Sequence, residues 1–163
     1  YIKAQLQYII DEFERITGKK FDYEKFHEIL RISSINGALF TKALDLIGKN
    51  KPSPVSGFDG YNFMALMVVA KGRPETTEIL KAYIAELEER LATGNYAFEG
   101  EEKYRLRYDG LACWPYLRHN SETLASMGVN TVRSIAIYSA HRLMIWMNIV
   151  KGTRARITLK VSI

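Results

Sequence analysis

The chain has 163 residues, 47% hydrophobic and 25% charged, the balance of a folded domain rather than a disordered tract. Its net charge of +5 is uneven: residues 1–100 carry 13 Lys/Arg against 14 Asp/Glu, residues 101–163 carry 10 against 4, and no acid lies beyond Glu122. The most apolar run, Phe63 to Ala70, falls far short of the ~20 residues a membrane span needs, and the single cysteine, Cys113, excludes an internal disulfide and any C-x-x-C metal site.

The basic side chains of the second part are scattered without a Lys/Arg run, so nucleic acid is not an expected partner; a basic binder using Arg133 to Lys160 stands as a rival. The chain opens at Tyr without a signal peptide, and we expect it to be an excerpt of a longer polypeptide. Lone-cysteine usage fits a reducing cytoplasm, and no membrane partner is expected.

In chain order, Ile2, Leu6, Ile9, Phe13 and Ile16 recur at helical steps, and Gly18 stops that helix. Asp22 caps a long second helix whose buried face is expected to be Phe26, Ile29, Leu30, Phe40, Leu44 and Ile47. A polar break at Ser33, Ser34, Asn36 and Gly37 marks a close helix contact or a kink. Gly48 to Gly57 holds two prolines and makes an extended connector. A strongly apolar helix follows over Phe58 to Ala70. After Gly72-Arg73-Pro74, Ile79, Leu80, Tyr83, Ile84, Leu87 and Leu91 form the stripe of another, ended by Gly94; Glu86, Glu88 and Glu89 read as its solvated face.

Asn95 to Glu102 reads as a linker, after which the period changes. Tyr104, Leu106 and Tyr108 alternate with Arg105 and Arg107, as on a strand. Pro115 starts a helix, Gly128 ends it, and Thr131 to Tyr138 reads as a second strand. His141 to Val150 suits a helix and Arg156 to Ser162 a third strand. The expected fold class is α/β: a helical segment over residues 1–101, then a partial parallel β-α-β domain, Rossmann-like or flavodoxin-like, over 102–163.

The loop Asp109 to Pro115 lies at the carboxyl end of a strand, where open α/β sheets bind ligands. It lacks G-x-G-x-x-G and any Walker-type lysine. Trp114 and Pro115 either line a site there or only pack the helix on the sheet. Cys113 is a nucleophile, a cluster ligand or an inert core residue, the last being the ordinary fate of a lone thiol. His27, His119 and His141 share no ligand spacing.

Lys103-Tyr104-Arg105-Leu106-Arg107-Tyr108-Asp109-Gly110, then Trp114-Pro115 and Gly128-Val129-Asn130, resembles the 2-hydroxyacyl-CoA dehydratase family, which includes benzoyl-CoA reductase subunits. The likeness is greatest to the β-subunit (D-component) type of 2-hydroxyglutaryl-CoA dehydratase. Pro54-Val55-Ser56-Gly57-Phe58-Asp59 and the Thr17-Gly18 and Asp22 pattern fit it too, so it runs from Tyr1 to about Arg133 and fades from Ile135 onward.

The resemblance implies cytosolic, oxygen-sensitive enzymes of anaerobes, working in amino-acid fermentation. Each of two related subunits carries a cysteine-held [4Fe–4S] cluster, and an ATP-hydrolysing activator protein supplies one electron. A 2-hydroxyacyl-CoA thioester passes through a ketyl radical, loses water and becomes an enoyl-CoA. The implied partners are a homologous dehydratase alpha subunit, the activator and the thioester. By the same resemblance Asp109, Gly110, Trp114 and Pro115 line the cleft, with Ser56, Gly57 and Asp59 as further lining residues at the domain junction. No catalytic residue and no metal ligand carries over, because Cys113 stands where no cluster ligand is expected. The cluster therefore belongs to the parent enzyme, none is expected on this chain alone, and the chain alone is expected to be inactive. Its rivals are a non-catalytic subunit-pairing module using the helical half, and a benzoyl-CoA-reductase-like subunit.

Overall fold

The computed structural model describes residues 1–56, 58–96, 98, 101–108 and 113–134. Over these the chain is mostly helical, with one small parallel two-stranded sheet: α1 (Ile2–Thr17), α2 (Tyr23–Lys49), α3 (Gly60–Val69), α4 (Pro74–Thr93), β1 (Tyr104–Tyr108), a 3₁₀ turn (Trp114–Tyr116), α5 (Leu117–Ser126) and β2 (Val129–Ser134). This is the expected α/β arrangement. The helix and strand read from His141 to Ser162 lie outside the described residues.

Local chemistry explains most boundaries. Gly18 ends α1 with φ 67°, a left-handed conformation that favours glycine. Asp22 caps α2, its carboxylate accepting from the Lys25 N–H at 2.8 Å. Pro74 opens α4 in its first turn, where a missing N–H costs no helical bond. Gly128 turns the chain from α5 into β2 at φ 73°, and a Cβ there would sit 3.0 Å from the Glu101 carbonyl oxygen, so only glycine fits.

The polar break in α2 is a close helix contact, and α2 runs unbroken through it. Ser33, Asn36 and Gly37 are buried. Asn36 Nδ2 donates to the Lys71 and Arg73 carbonyls at 2.8 and 3.1 Å, and Asn36 Oδ1 accepts from the Thr77 hydroxyl at 2.6 Å. A buried amide is tolerated when both its ends are partnered, and these bonds fasten the start of α4 onto the middle of α2.

The core lies on the second half of α2. Phe40, Phe58, Tyr61, Met67 and Leu80 form one cluster; Ala43, Ile47, Val55, Tyr83, Ile84 and Leu87 form another. Phe63 stacks on Tyr83 at 3.8 Å between ring centres. Three expectations change here. Phe26 and Ile29 are 40% and 41% exposed, although Phe21 packs on Phe26 and Gly72 lies close against Ile29. Ile79 is likewise exposed, and Thr76 takes a buried place through its bond to the Ala70 carbonyl. The apolar stripe of α1 is exposed throughout, and α1 buries no residue.

β1 and β2 pair in parallel, Tyr104 beside Val129 and Arg105 beside Asn130, with an irregularity after Leu106. β2 begins two residues before the expected Thr131. The expected linker holds two buried residues, Phe98 and Glu102, since its end is fastened to the helical part. On β1, Arg105 turns toward α2: Nη1 donates to the Asn50 carbonyl at 2.8 Å, and Nη2 to those of Gly48 and Ile47 at 3.0 and 3.4 Å. These are the unsatisfied carbonyls at the C-terminus of α2, where a cation is favoured.

Candidate functional site

The connector after α2 builds one wall of a cleft. Ser53 is fully buried, its hydroxyl donating to the Val55 carbonyl at 2.8 Å. Three residues on, Ser56 and Asp59 bond reciprocally. The Ser56 N–H donates to Asp59 Oδ2 at 2.9 Å, the Asp59 N–H donates to the Ser56 carbonyl at 3.0 Å, and Ser56 Oγ accepts from the Phe58 N–H at 3.1 Å. A hydroxyl and a carboxylate three residues apart thus consume the free amides ahead of α3, as in a capping box. Burial raises the Asp59 carboxyl above its ordinary value; the Ser56 N–H and the Arg90 charge oppose this, and Glu86 adds to it. Burial also raises the Tyr83 phenol, with Asp59 and Glu86 adding to the shift.

The other wall is the 3₁₀ turn and α5. Trp114, Leu117, Arg118, Ser121 and Glu122 face Phe58, Asp59 and Asn62 across an open cleft of about 460 Å³. Contacts cross between the walls: Ser121 Oγ donates to Ser56 Oγ at 3.2 Å, Trp114 meets Tyr61 edge-on at 6.0 Å, and Leu117 packs against the cluster that holds Phe58 and Tyr61. Below them Phe58, Tyr61 and Tyr108 form an aromatic cluster, with centroid separations of 5.6 to 6.2 Å. Trp114 is half exposed, so its indole has a free face on the cleft as well as a packed edge. The result is an apolar floor of Phe58, Trp114 and Leu117 with a polar rim, suited to a molecule with an apolar body and hydrogen-bonding ends.

Of the residues singled out in the sequence, the structure brings Ser56, Asp59 and Trp114 around this cleft, with Pro115 in the turn beside Trp114. Asp109, Gly110 and Gly57 lie outside the described residues. Cys113 is exposed, not the core residue that lone thiols commonly are. Sequence reasoning missed Arg118, Ser121 and Glu122. Their signal was present: Trp114, Leu117 or Arg118, and Ser121 recur at steps of three and four. It also missed Asn62 and Glu102, for which no local pattern exists.

A [4Fe–4S] cluster takes three or four thiolates, and the 163 residues contain one cysteine. Among the described residues no three His, Cys, Asp or Glu side chains gather as metal ligands. This donor set does not fit a cluster. Among the same residues no helix is long and apolar enough to cross a membrane.

Comparison with known proteins bears on what this cleft belongs to. The family model for 2-hydroxyglutaryl-CoA dehydratase, D-component, matches residues 1–154, so the likeness continues beyond Arg133. The chain is 47% identical over 135 residues to the (R)-2-hydroxyisocaproyl-CoA dehydratase alpha subunit of Clostridioides difficile, covering 83% of this chain and 33% of that protein. It is 35% identical over 130 residues to the (R)-2-hydroxyglutaryl-CoA dehydratase subunit alpha of Acidaminococcus fermentans, covering 80% of this chain and 27% of that one. A benzoyl-CoA reductase subunit of Thauera aromatica is 29% identical, over 72% of this chain and 28% of its own length. The chain thus spans about a third or less of these relatives, and the two dehydratase subunits carry alpha names where the sequence motifs pointed to the β type. With nearly its whole length matched, the chain belongs to the 2-hydroxyglutaryl-CoA dehydratase, D-component family.

Proposed function

We propose that this chain is part of one subunit of an (R)-2-hydroxyacyl-CoA dehydratase, and that its cleft forms one wall of the thioester site. The observation that carries the reading is the 47% identity to a protein named as such a subunit. The parent enzyme, in the cytoplasm, removes water from a 2-hydroxyacyl-CoA by a ketyl-radical route to give an enoyl-CoA. An iron–sulfur cluster held by residues outside this chain, a homologous second subunit and an ATP-dependent activator complete it. Residues 1–101 form a helical part in this reading, and 102–163 begin an α/β domain. The chain's own side chains bind and orient: Phe58, Trp114 and Leu117 exclude water from the acyl body, while Asp59, Asn62 and Ser121 offer hydrogen bonds at its polar ends. Asp109 and Gly110 are proposed to line the same cleft.

The test is Trp114→Ala in the full-length subunit, assembled with its partner and activated. Half exposed as it is, Trp114 contributes little to the core. Enoyl-CoA formation should fall about tenfold or more, the effect expected when a positioning contact is lost, while the unfolding midpoint moves little. Equal losses of turnover and stability would assign Trp114 to packing alone.

A second reading, pairing with a homologous subunit through the helical half, is favoured by the exposed stripe of Leu6, Ile9 and Phe13 on α1 and by Val68 and Val69 at the end of α3, 64% and 80% exposed. It is compatible with the first. A monodisperse monomer in the presence of the partner subunit would exclude it.

A further inference from the structure

Both walls of the cleft start from one buried ionic contact. Glu102 precedes β1, and its side chain is 1% exposed. Its Oε2 accepts from the Ser53 N–H at 2.6 Å, and its Oε1 pairs with Arg105 Nε at 3.0 Å. Arg105 spends its other two nitrogens on the Ile47, Gly48 and Asn50 carbonyls. The pair therefore joins the end of α2, the middle of the connector and the start of β1. From Ser53 the connector runs three residues to Ser56 and on to Asp59, one wall. From Arg105, β1 runs to Tyr108, whose ring lies under Phe58 and Tyr61, and the chain continues to Trp114, the other wall.

The Glu102 carboxylate is desolvated while Arg105 keeps 23% of its side chain exposed, and a buried ion pair is a poor device for stability alone, since an apolar pair of similar volume often does as well. It is a good device for geometry, because the guanidinium fork fixes several acceptors at defined angles. Ser56 and Ser121 meet across the cleft through a single hydroxyl bond of 3.2 Å, which by itself holds little.

We propose that Glu102 and Arg105 are positioning residues that set the separation of the two cleft walls, acting on Ser56, Asp59 and Trp114 without touching the ligand. The role in turnover rests on the cleft being the thioester site; the role in geometry does not.

Two measurements separate these. In the 163-residue chain carrying Cys113→Ser, Ser56→Cys and Ser121→Cys, the paired thiols report wall separation through their rate of disulfide formation with copper–phenanthroline. Adding Glu102→Gln or Arg105→Lys should slow that oxidation about tenfold, the scale of one charge-assisted hydrogen bond. Asn36→Leu, at the contact between the middle of α2 and the start of α4, is the comparison: its partners Lys71, Arg73 and Thr77 do not line the cleft, so it should lower the unfolding midpoint and leave the oxidation rate unchanged. An unchanged rate in either latch variant that folds overturns the proposal. Failure of both to fold also overturns it, since the pair would then hold the fold and not the cleft.

In the assembled full-length enzyme, the same two variants should raise KM for the 2-hydroxyacyl-CoA about tenfold with a smaller change in kcat. If the unsubstituted enzyme does not dehydrate such thioesters, the functional reading fails while the oxidation result stands. If it does and KM is unaffected, wall separation is irrelevant to binding and the positioning role in turnover is overturned.

Discussion

The two halves of α2 have the same kind of sequence and opposite surroundings. Phe26 and Ile29 in the first half are 40% and 41% exposed; Phe40, Ala43 and Ile47 in the second are 1%, 0% and 2% exposed. Helical spacing puts both sets on apolar faces, yet only the second meets α3 and α4. Periodicity identifies a face; whether the face is buried depends on which elements reach it. The boundary between the halves is Asn36, a polar residue more buried than either phenylalanine.

The sharpest way to break this comparison is Phe40→Ala. Phe40 packs in one cluster with Phe58, Tyr61, Met67 and Leu80, so truncation should cost about 3–5 kcal/mol of unfolding free energy. Urea titration of the chain followed by circular dichroism measures it. A loss below that range would mean that the second half of α2 is less enclosed than the structure has it.

Asn36→Leu comes next. Leucine has the same branched shape but leaves the Thr77 hydroxyl and the Lys71 and Arg73 carbonyls without their partner. Stranded buried polar groups should cost about 1–3 kcal/mol. If Asn36→Leu were neutral, apolar packing and not the amide would be fastening α4 to α2.

The same distinction explains what the sequence could tell. Helix ends were legible because they depend on nearby residues: Asp22, Pro74, Gly18 and Gly128 act within a turn of where they stand. The strand over Tyr104 to Tyr108 was legible from its alternation. Burial was not, because Phe26 and Phe40 differ only in what lies opposite them. Of the site, Trp114, Ser56 and Asp59 could be picked out, two from the family resemblance of the connector and one from the loop after a strand. Glu102 could not, because nothing marks it out from Glu99 and Glu101 in the same linker as the acid on which Ser53, 49 residues earlier, will close. Long-range pairing of lone polar residues leaves no local trace.

The smallest effect sharpens the comparison most, because it uses the same residue type on the same helix. Phe26 touches Phe21 and His27, with ring centres at 5.5 and 6.1 Å, and remains largely in water. Phe26→Ala should therefore cost only about 0.5–1 kcal/mol in the isolated chain, the scale of one aromatic pair. Measured beside Phe40→Ala under identical conditions, the ratio of the two losses reports directly how differently the two halves are enclosed. A Phe26 loss equal to that of Phe40 would place the first half of α2 in a core, against the geometry described. If the helical half pairs with a homologous subunit, the cost of Phe26→Ala will grow when the partner is present and appear as weaker association instead of a lower unfolding midpoint of the free chain. The exposed face of α1 and the first half of α2 would then be an interface whose folding contribution is deferred to assembly, while the second half of α2 carries the stability of the chain by itself.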